Sequence, residues 1–471
     1  MTCFRGFATL LILCPALVLA PSIALSQSAL EQPAGEASPS YDLSASDLPD
    51  QITQVACELE VGGDLSLRSD GKVRTLPTSV VAGIRYAERV LTGPESDVQR
   101  SVRYYEKAQA TIKVDKGGVQ PTLGDDRRLI VVDAQPDRTT MFSPQGLLTR
   151  DEVDLIDIVG NSLLVGGLLP GRPVAVGEKW DIPQTVLAPL VGLEAVAHSD
   201  VRAALGRVED DQATVILGGR VDGAVSGVSG ELEVKGAYRF DLTARRITHL
   251  ELAIQEKRGI SHVGPGLDIT AKLKMTIEPL ANAEQLTDER LAQWDLEPTP
   301  ENLRLAHQAR KKQFDFSYHR DWYITSDEPE MVVLRLVRRG ELIAQCNLSA
   351  LPEQSPEKLT TMEQFQKDIR FALGERFGQF AEVGEWTDEH GQRVFRVVAV
   401  GQVEELPIQW HYYLIANRTG RRVAAAFTVE TSLAEQLGDA DRQLIDAIAL
   451  PTEAPPAETA SRPTPVRNSP K

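Results

Sequence analysis

The stretch that most narrows the fold is Leu267-Asp268-Ile269-Thr270-Ala271-Lys272-Leu273-Lys274-Met275-Thr276-Ile277, in which every second residue is apolar. On a helix these side chains would spread around the whole surface, whereas a strand places them all on one face. The same period of two recurs at Val201-Ala203-Leu205, Ala213-Val215-Leu217, Tyr238-Phe240-Leu242 and Leu250-Leu252-Ile254. Between such runs stand turn formers: Ser69-Asp70-Gly71, Asp115-Lys116-Gly117-Gly118 and Glu209-Asp210-Asp211. Thr243–Arg245 turns a hairpin between Tyr238–Leu242 and the run from Ile247. Residues 51–280 are therefore predicted to be a mainly antiparallel β domain, a curved sheet or half-barrel, with order beginning near Val55.

One helix interrupts the alternation. Thr149 with Glu152 makes a capping box, and Val153, Ile156, Val159, Leu163 and Leu164 follow at helical spacing until Gly166-Gly167. This single helix is expected to lie across the sheet. After it, Leu169–Lys179 leads to Trp180, expected as a plug at the end of the β core. The Gly-rich segment Gly218–Gly230 marks a strand that bends or meets another backbone closely. A long curved sheet with one helix across it resembles the LolA-like periplasmic carriers of lipids and lipoproteins. The resemblance is one of pattern over residues 55–280. A sheet curving around a helix makes a concave apolar interior that either fills with side chains or holds a ligand.

Residues 281–313 read as a helical linker, one helix starting at Thr287-Asp288-Glu289 and a second running from Thr299-Pro300 to Lys312. Residues 314–450 form a second, α+β domain. Phe314, Phe316, Trp322 and Tyr323 open it, and Met331–Val337 and Leu342–Leu348 pair around Arg339-Gly340. A helix at Thr361–Leu373 comes next. Strands are predicted near Gln379–Trp386, Arg393–Val400, Ile408–Ala416 and Val423–Val429, then a helical run at Asp439–Leu450. Asp321-Trp322-Tyr323, the hairpin Val332–Gln345, the helix Met362–Leu373 and the hairpin around Asn417–Gly420 resemble the PsbP-like fold shared with DcrB. That resemblance implies an α/β/α sandwich and a non-catalytic accessory or binding module; fold alone does not give function. Trp410 and Tyr412 share one strand face, His411 and Tyr413 the other, and packing under helices is the expected role of both.

The N-terminus reads as a secretory signal over residues 1–26: Arg5, the apolar run Ala8–Ala20, and Ala24-Leu25-Ser26 before Gln27. Residues 27–50 are expected as a disordered leader and 451–471 as a disordered Pro-rich tail. The chain is thus expected to be exported, periplasmic or extracellular. Removing the signal leaves Cys57 and Cys346, too few for a disulfide framework or a metal cluster. With 67 Asp and Glu against 50 Lys and Arg, the net charge of −17 repels phosphate backbones and excludes nucleic acid as a favoured partner. The basic runs Arg100–Lys107 and Arg335–Arg339 are expected as solvated strand faces.

No catalytic, cofactor or metal residues are assigned, and no cofactor. His198, His249, His262, His307, His319, His390 and His411 show no zinc-helix spacing, though His249 and His262 could meet across a hairpin. Gly223–Gly227 lacks the nucleophile-elbow spacing. Asp125-Asp126, Asp210-Asp211 and Glu404-Glu405 fall in turns, and Asn347-Leu348-Ser349 and Asn417-Arg418-Thr419 match glycan sequons. Three functions stay open. The first is an exported, non-enzymatic binding or accessory protein of the envelope, with an apolar ligand or envelope protein as partner. The second is an extracellular hydrolase with a non-motif site, and the third a structural interaction protein.

Overall fold

A computed structural model describes residues 39–46, 50–69, 71–91, 98–135, 138–225, 227–262, 264–309, 313–355 and 359–451. The signal segment, most of the leader and the tail from 452 onward lie outside the described residues. The chain divides into two compact units. One holds the residues up to Ala306 with His319–Tyr323 and Val337–Leu342; the other holds His307–Tyr318, Ile324–Leu336 and the residues from Ile343 on. Both are mostly antiparallel β. Among the described residues, no helix is long and apolar enough to cross a membrane.

The first unit is built on a 13-stranded sheet. Its path runs Arg138–Phe142, Leu129–Gln135, Gln99–Val114, Lys72–Val90, Ile52–Ser69, Gly266–Pro279, Arg246–Arg258, Val228–Asp241, Gln212–Val225, Arg202–Glu209 and Lys179–Asp181. Gly117–Val119 and Ala195–Ser199 pair off this path, and the sheet stays open. Alternation decides which side chains face the core. Register lines them into rows, such as Leu252–Leu273–Leu59 and Ile254–Ala271–Val61. Each row is a set of cross-strand neighbours close enough to pack.

The single helix expected across this sheet is instead a helical insert in three pieces: Arg150–Ile156, a 3-10 turn at Ser162–Leu168, and Gln184–Val191. Thr149 and Glu152 do form the capping box, each side chain taking the other's backbone N–H. The helix ends at Ile156, and the chain then passes Gly160, whose φ of +77° is left-handed and whose Cβ, were there one, would lie 2.2 Å from Leu273 Cδ2. The chain is pressed onto the sheet there, and its N–H donates to Leu190 O. Trp180 is buried as expected, its Nε1 donating to Leu168 O at 3.0 Å. Gly223 also matches expectation, since a Cβ there would meet Ala195 O at 2.6 Å.

Two further expectations are corrected in this unit. Within the leader, Ser40–Asp42 pairs with Pro173–Ala175 and Leu43 is fully buried, so strand structure begins ahead of Val55. Among its described residues, the 281–313 linker holds the short helices Glu284–Leu286 and Asp288–Leu291, and Leu305–Gln308 is a strand, not helix. Leu286 and Leu291 pack with Ala87, Val102, Leu129 and Phe142 on the opposite side of the sheet from the insert. That apolar contact holds the stretch down where a free helical spacer was predicted.

A seven-stranded sheet, most of whose residues belong to the second unit, is ordered Trp322–Asp327, Met331–Arg338, Glu341–Leu351, Arg422–Glu430, Leu406–Ala416, Arg393–Val403, Phe377–Thr387. Helix Met362–Leu373, N-capped by Thr361, lays Phe365, Ile369 and Leu373 on Phe395, Val397, Ala399 and Trp410. The helical run predicted for Asp439–Leu450 is only Ala440–Ile445. It ends because Ile448–Ala449 pairs with Asp315–Tyr318, and Gln392 bonds the backbone of Ile448 and Leu450 at 2.8 and 2.9 Å.

Candidate functional site

The first sheet and the helical insert border a partly open cavity of about 630 Å³. Its existence traces to small side chains at inward positions. Ala82 lies opposite Ala110 across one strand pair, and Ala271 sits between Ile254 and Val61, where the next inward positions along its own strand carry Leu273 and Met275. All three alanines line the space, along with Leu59, Val80 and Ile112. From the insert come Leu155, Ile158, Val159 and Val191. The volume lies within the roughly 300–1,000 Å³ of ligand pockets.

Most of the polar lining is charged, with Gln120 and Thr139 as uncharged members. Asp151 and Asp154 come from the first helix of the insert, Asp157 caps it, and Glu194 follows the last helix. Arg138 starts an edge strand. Glu256 and Arg258 continue the inward face that carries Leu250, Leu252 and Ile254, so that face changes from apolar to charged within one strand. They pair at 3.3 Å, both largely buried. Burial pushes the Glu256 carboxyl above its ordinary range, with the Arg258 charge pulling it back.

A buried network pins the insert beside this cavity. Glu88 accepts from Ser101 Oγ at 2.8 Å, Arg103 Nε at 2.7 Å and Ser162 Oγ at 2.5 Å. Arg103 also donates to Ser162 and to Asn161, and lies 4.7 Å over the Tyr86 ring. Arg103 is 2 % exposed, which corrects the solvated face expected for Arg100–Lys107. Its partners are distant in sequence, so the run of charge alone could not reveal its burial. Burial pushes the neighbouring Cys57 thiol up to about 12, with Arg103 pulling it down and Glu88 pushing it up, which leaves it protonated and inert at neutral pH.

In the second unit, four side chains that the sequence left unassigned converge under helix Ala440–Ile445. His411 Nδ1 and Tyr413 Oη each donate to Asp441 Oδ2 at 2.7 Å, and Arg396 Nε donates to Tyr413 Oη at 2.7 Å. Glu382 pairs with Arg396 and Arg442. Burial raises the Asp441 carboxyl, but hydrogen bonds from His411 and Tyr413 with the nearby Arg396 charge outweigh it and hold it below the usual range. Asp441 is 1 % exposed, so the cluster binds helix to sheet and offers no open base. Cys346 shares the face, and burial keeps its thiol protonated too. Both cysteines are free thiols.

The other residues considered from sequence do not assemble. His249 pairs across the ladder with Thr276 and touches Glu251, far along the hairpin from His262. Asp210 and Asp211 both have positive φ at a hairpin turn, as does Glu404. The Asn417 amide donates to Pro451 O at 3.1 Å, occupying the nitrogen a glycan would need. Among the described residues, no group of three His, Cys, Asp or Glu is arranged to hold a metal ion.

No protein-family model matches the chain, and no curated protein matches it. Among solved structures, it is similar to cyanobacterial PsbP (CyanoP) from Synechocystis, at 16% identity over 31% of this chain and 92% of that one, with a TM-score of 0.25. The Ran-binding protein Mog1p of Saccharomyces cerevisiae matches at 10% identity over 31% of this chain and 95% of that one, TM-score 0.25. The translocator domain of the autotransporter NalP from Neisseria meningitidis matches at 7% identity over 82% and 90%, TM-score 0.13. Likeness at these levels carries no weight in the functional reading.

Proposed function

We propose that the chain is an exported, non-enzymatic binding protein of the cell envelope that holds an apolar ligand in the cavity of its first unit. The carrying observation is that this sheet leaves about 630 Å³ behind aliphatic walls instead of filling it. A partly open space of this size, aliphatic over much of its wall and charged over the rest, has the dimensions and the mixed lining of a ligand pocket. Export rests on Arg5, the apolar run Ala8–Ala20 and the small residues before Gln27. The second unit is proposed as a PsbP-like accessory module, on its order of hairpin, helix, four strands and closing helix.

Native mass spectrometry of detergent-free protein tests this. A co-purifying small mass, extractable into organic solvent, is the expected result. Ala110→Trp, which fills the cavity from its wall, should remove that mass while the protein stays folded. A bare polypeptide mass, together with no uptake of a fluorescent acyl probe, would end the carrier reading.

A further inference from the structure

One hairpin of the first sheet outruns its neighbours. Strand Ile52–Ser69 pairs with Gly266–Pro279 only as far as Ser66 opposite Gly266, and strand Lys72–Val90 pairs with Gln99–Val114 only as far as Thr78 opposite Val114. Beyond those points the two strands have, among the described residues, only each other in the sheet. Leu67 lies opposite Arg74, Arg68 opposite Val73 and Ser69 opposite Lys72. A two-stranded ribbon has too little area to bury its own side chains. Lys72 through Thr75 are exposed, and Leu67 and Val73 are 38 % and 58 % exposed.

Side chains alternate across a strand, so Leu67 and Arg74 stand on one face of the ribbon, Arg68 and Val73 on the other. A folded protein that docks here covers one face and leaves the other apolar side chain in water. A medium that surrounds the ribbon takes up both, and the interface of a bilayer is such a medium, with headgroups for the cations and acyl chains for the aliphatic groups. Charge then selects the lipid. Arg68, Lys72 and Arg74 are exposed, and the adjoining turn, held by Asp115 N–H donating to Pro77 O at 2.8 Å, adds exposed Lys113 and Lys116. Among the described residues none of these five pairs with a carboxylate. The acids in the same stretches are Asp64, Asp70 and Asp115, so cations are in local excess on a chain whose net charge is −17. Screening over ~10 Å makes the local excess, not the distant total, what a charged surface meets.

We infer that residues 67–74 are a membrane-contact element, with Leu67 and Val73 entering the interface of a bilayer that contains anionic lipid and Arg68, Lys72 and Arg74 on its phosphates. The inward phase of the first strand runs back from Leu67 through Leu65 to Val61, which lines the cavity. Val119, 56 % exposed and paired with Ile112 beside the Lys113–Lys116 turn, lines it too. An apolar ligand leaving a bilayer at this hairpin therefore has an apolar track to the cavity. That consequence rests on the carrier reading above; the membrane contact does not.

Flotation of the chain from Gln27 onward with vesicles tests it, comparing phosphatidylcholine alone with vesicles about one-third phosphatidylglycerol at low salt. One Lys or Arg near an anionic surface contributes about fivefold to binding, so the charged vesicles are expected to bind at least about tenfold tighter. Added salt should erase most of the difference. The combined substitutions Arg68→Gln, Lys72→Gln and Arg74→Gln should remove that tenfold, while the unfolding midpoint and uptake of a fluorescent acyl probe stay unchanged. Leu67→Cys and Val73→Cys, made separately, are labelled with a polarity-sensitive dye; Cys57 and Cys346 are buried and escape it. Both labelled proteins should shift to shorter wavelength on the charged vesicles. Equal binding to the two vesicles, a triple variant that binds like the parent, or a dye that stays in water at either position overturns the inference. Probe uptake without vesicle binding leaves the carrier reading standing and this inference fallen, and vesicle binding without probe uptake does the reverse.

Discussion

Helix Met362–Leu373 sets Phe365, Ile369 and Leu373 onto one face of the seven-stranded sheet, and Ala440–Ile445 meets the other through Asp441. The 13-stranded sheet, by contrast, is covered on its concave face by a broken insert and keeps about 630 Å³ of space. The difference starts with side-chain size at equivalent positions. Facing its helix, the smaller sheet presents Phe395, Val397 and Trp410 around Ala399. Facing its insert, the larger one presents Ala82, Ala110 and Ala271. A helix over large side chains makes a core; a lid over small ones makes a container.

The largest effect expected from breaking this contrast is at the pin that holds the lid. Glu88→Ala leaves Arg103 buried without its carboxylate and strips the acceptor from Ser101 and Ser162. Breaking a buried ion pair from one side costs about 3–5 kcal/mol. Chemical denaturation should show a loss of that order for the first unit, and hydrogen exchange should rise over residues 157–168 before it rises in the second unit. A loss under about 1 kcal/mol would mean that the network is not what fixes the insert.

A smaller effect separates container from core directly. Ala399→Leu adds carbon to a filled layer beneath Phe365 and Ile369, and overpacking of this kind costs about 1–3 kcal/mol. Ala110→Leu adds the same carbon to the cavity wall and should change stability by no more than about 0.5 kcal/mol. Parallel unfolding curves of the two variants decide it. Equal destabilisation would show that the cavity is not free space in solution.

Much of this was legible in the sequence, and the reason is distance along the chain. Period two is local, so the strands at 201–277 and 393–429 could be placed from neighbouring residues alone. The capping box of Thr149 and Glu152 is local too, and the structure forms it. What failed depended on residues far apart. Helical spacing continues to Leu164, but the helix ends at Ile156, and Leu273 lies where a side chain at position 160 would have to go, a close approach between residues over a hundred positions apart. Arg103 read as solvated because Glu88, Asn161 and Ser162 come to it only once the register is set. Asp441 meets His411 across 30 positions. One signal was present and not used: Glu256 and Arg258 fall on the inward phase of a strand whose earlier inward residues are apolar. Charge in phase with a core marks where a core opens.

The least effect at neutral pH, and the one most specific to the filled unit, is its acid response. His411, Tyr413 and Arg396 face the Asp441 carboxyl, with Glu382 and Arg442 beyond them. These partners hold its proton affinity below the ordinary carboxylate value even though burial works the other way. A group lowered on folding binds fewer protons in the native than in the unfolded state, so its contribution is complete above the unfolded value near 4. That contribution is then lost as pH falls from about 4 through the lower, folded value. Stability of the second unit, followed by denaturant unfolding at a series of acid pH values, should therefore fall on this limb. Asp441→Asn should lower stability at neutral pH and flatten the acid limb, because the titrating group is gone while Arg396 and His411 still face the site. If the slope is the same in both proteins, the acid response belongs to other carboxylates. The closure of this face then rests on packing by Leu444 and Ile445 rather than on charge.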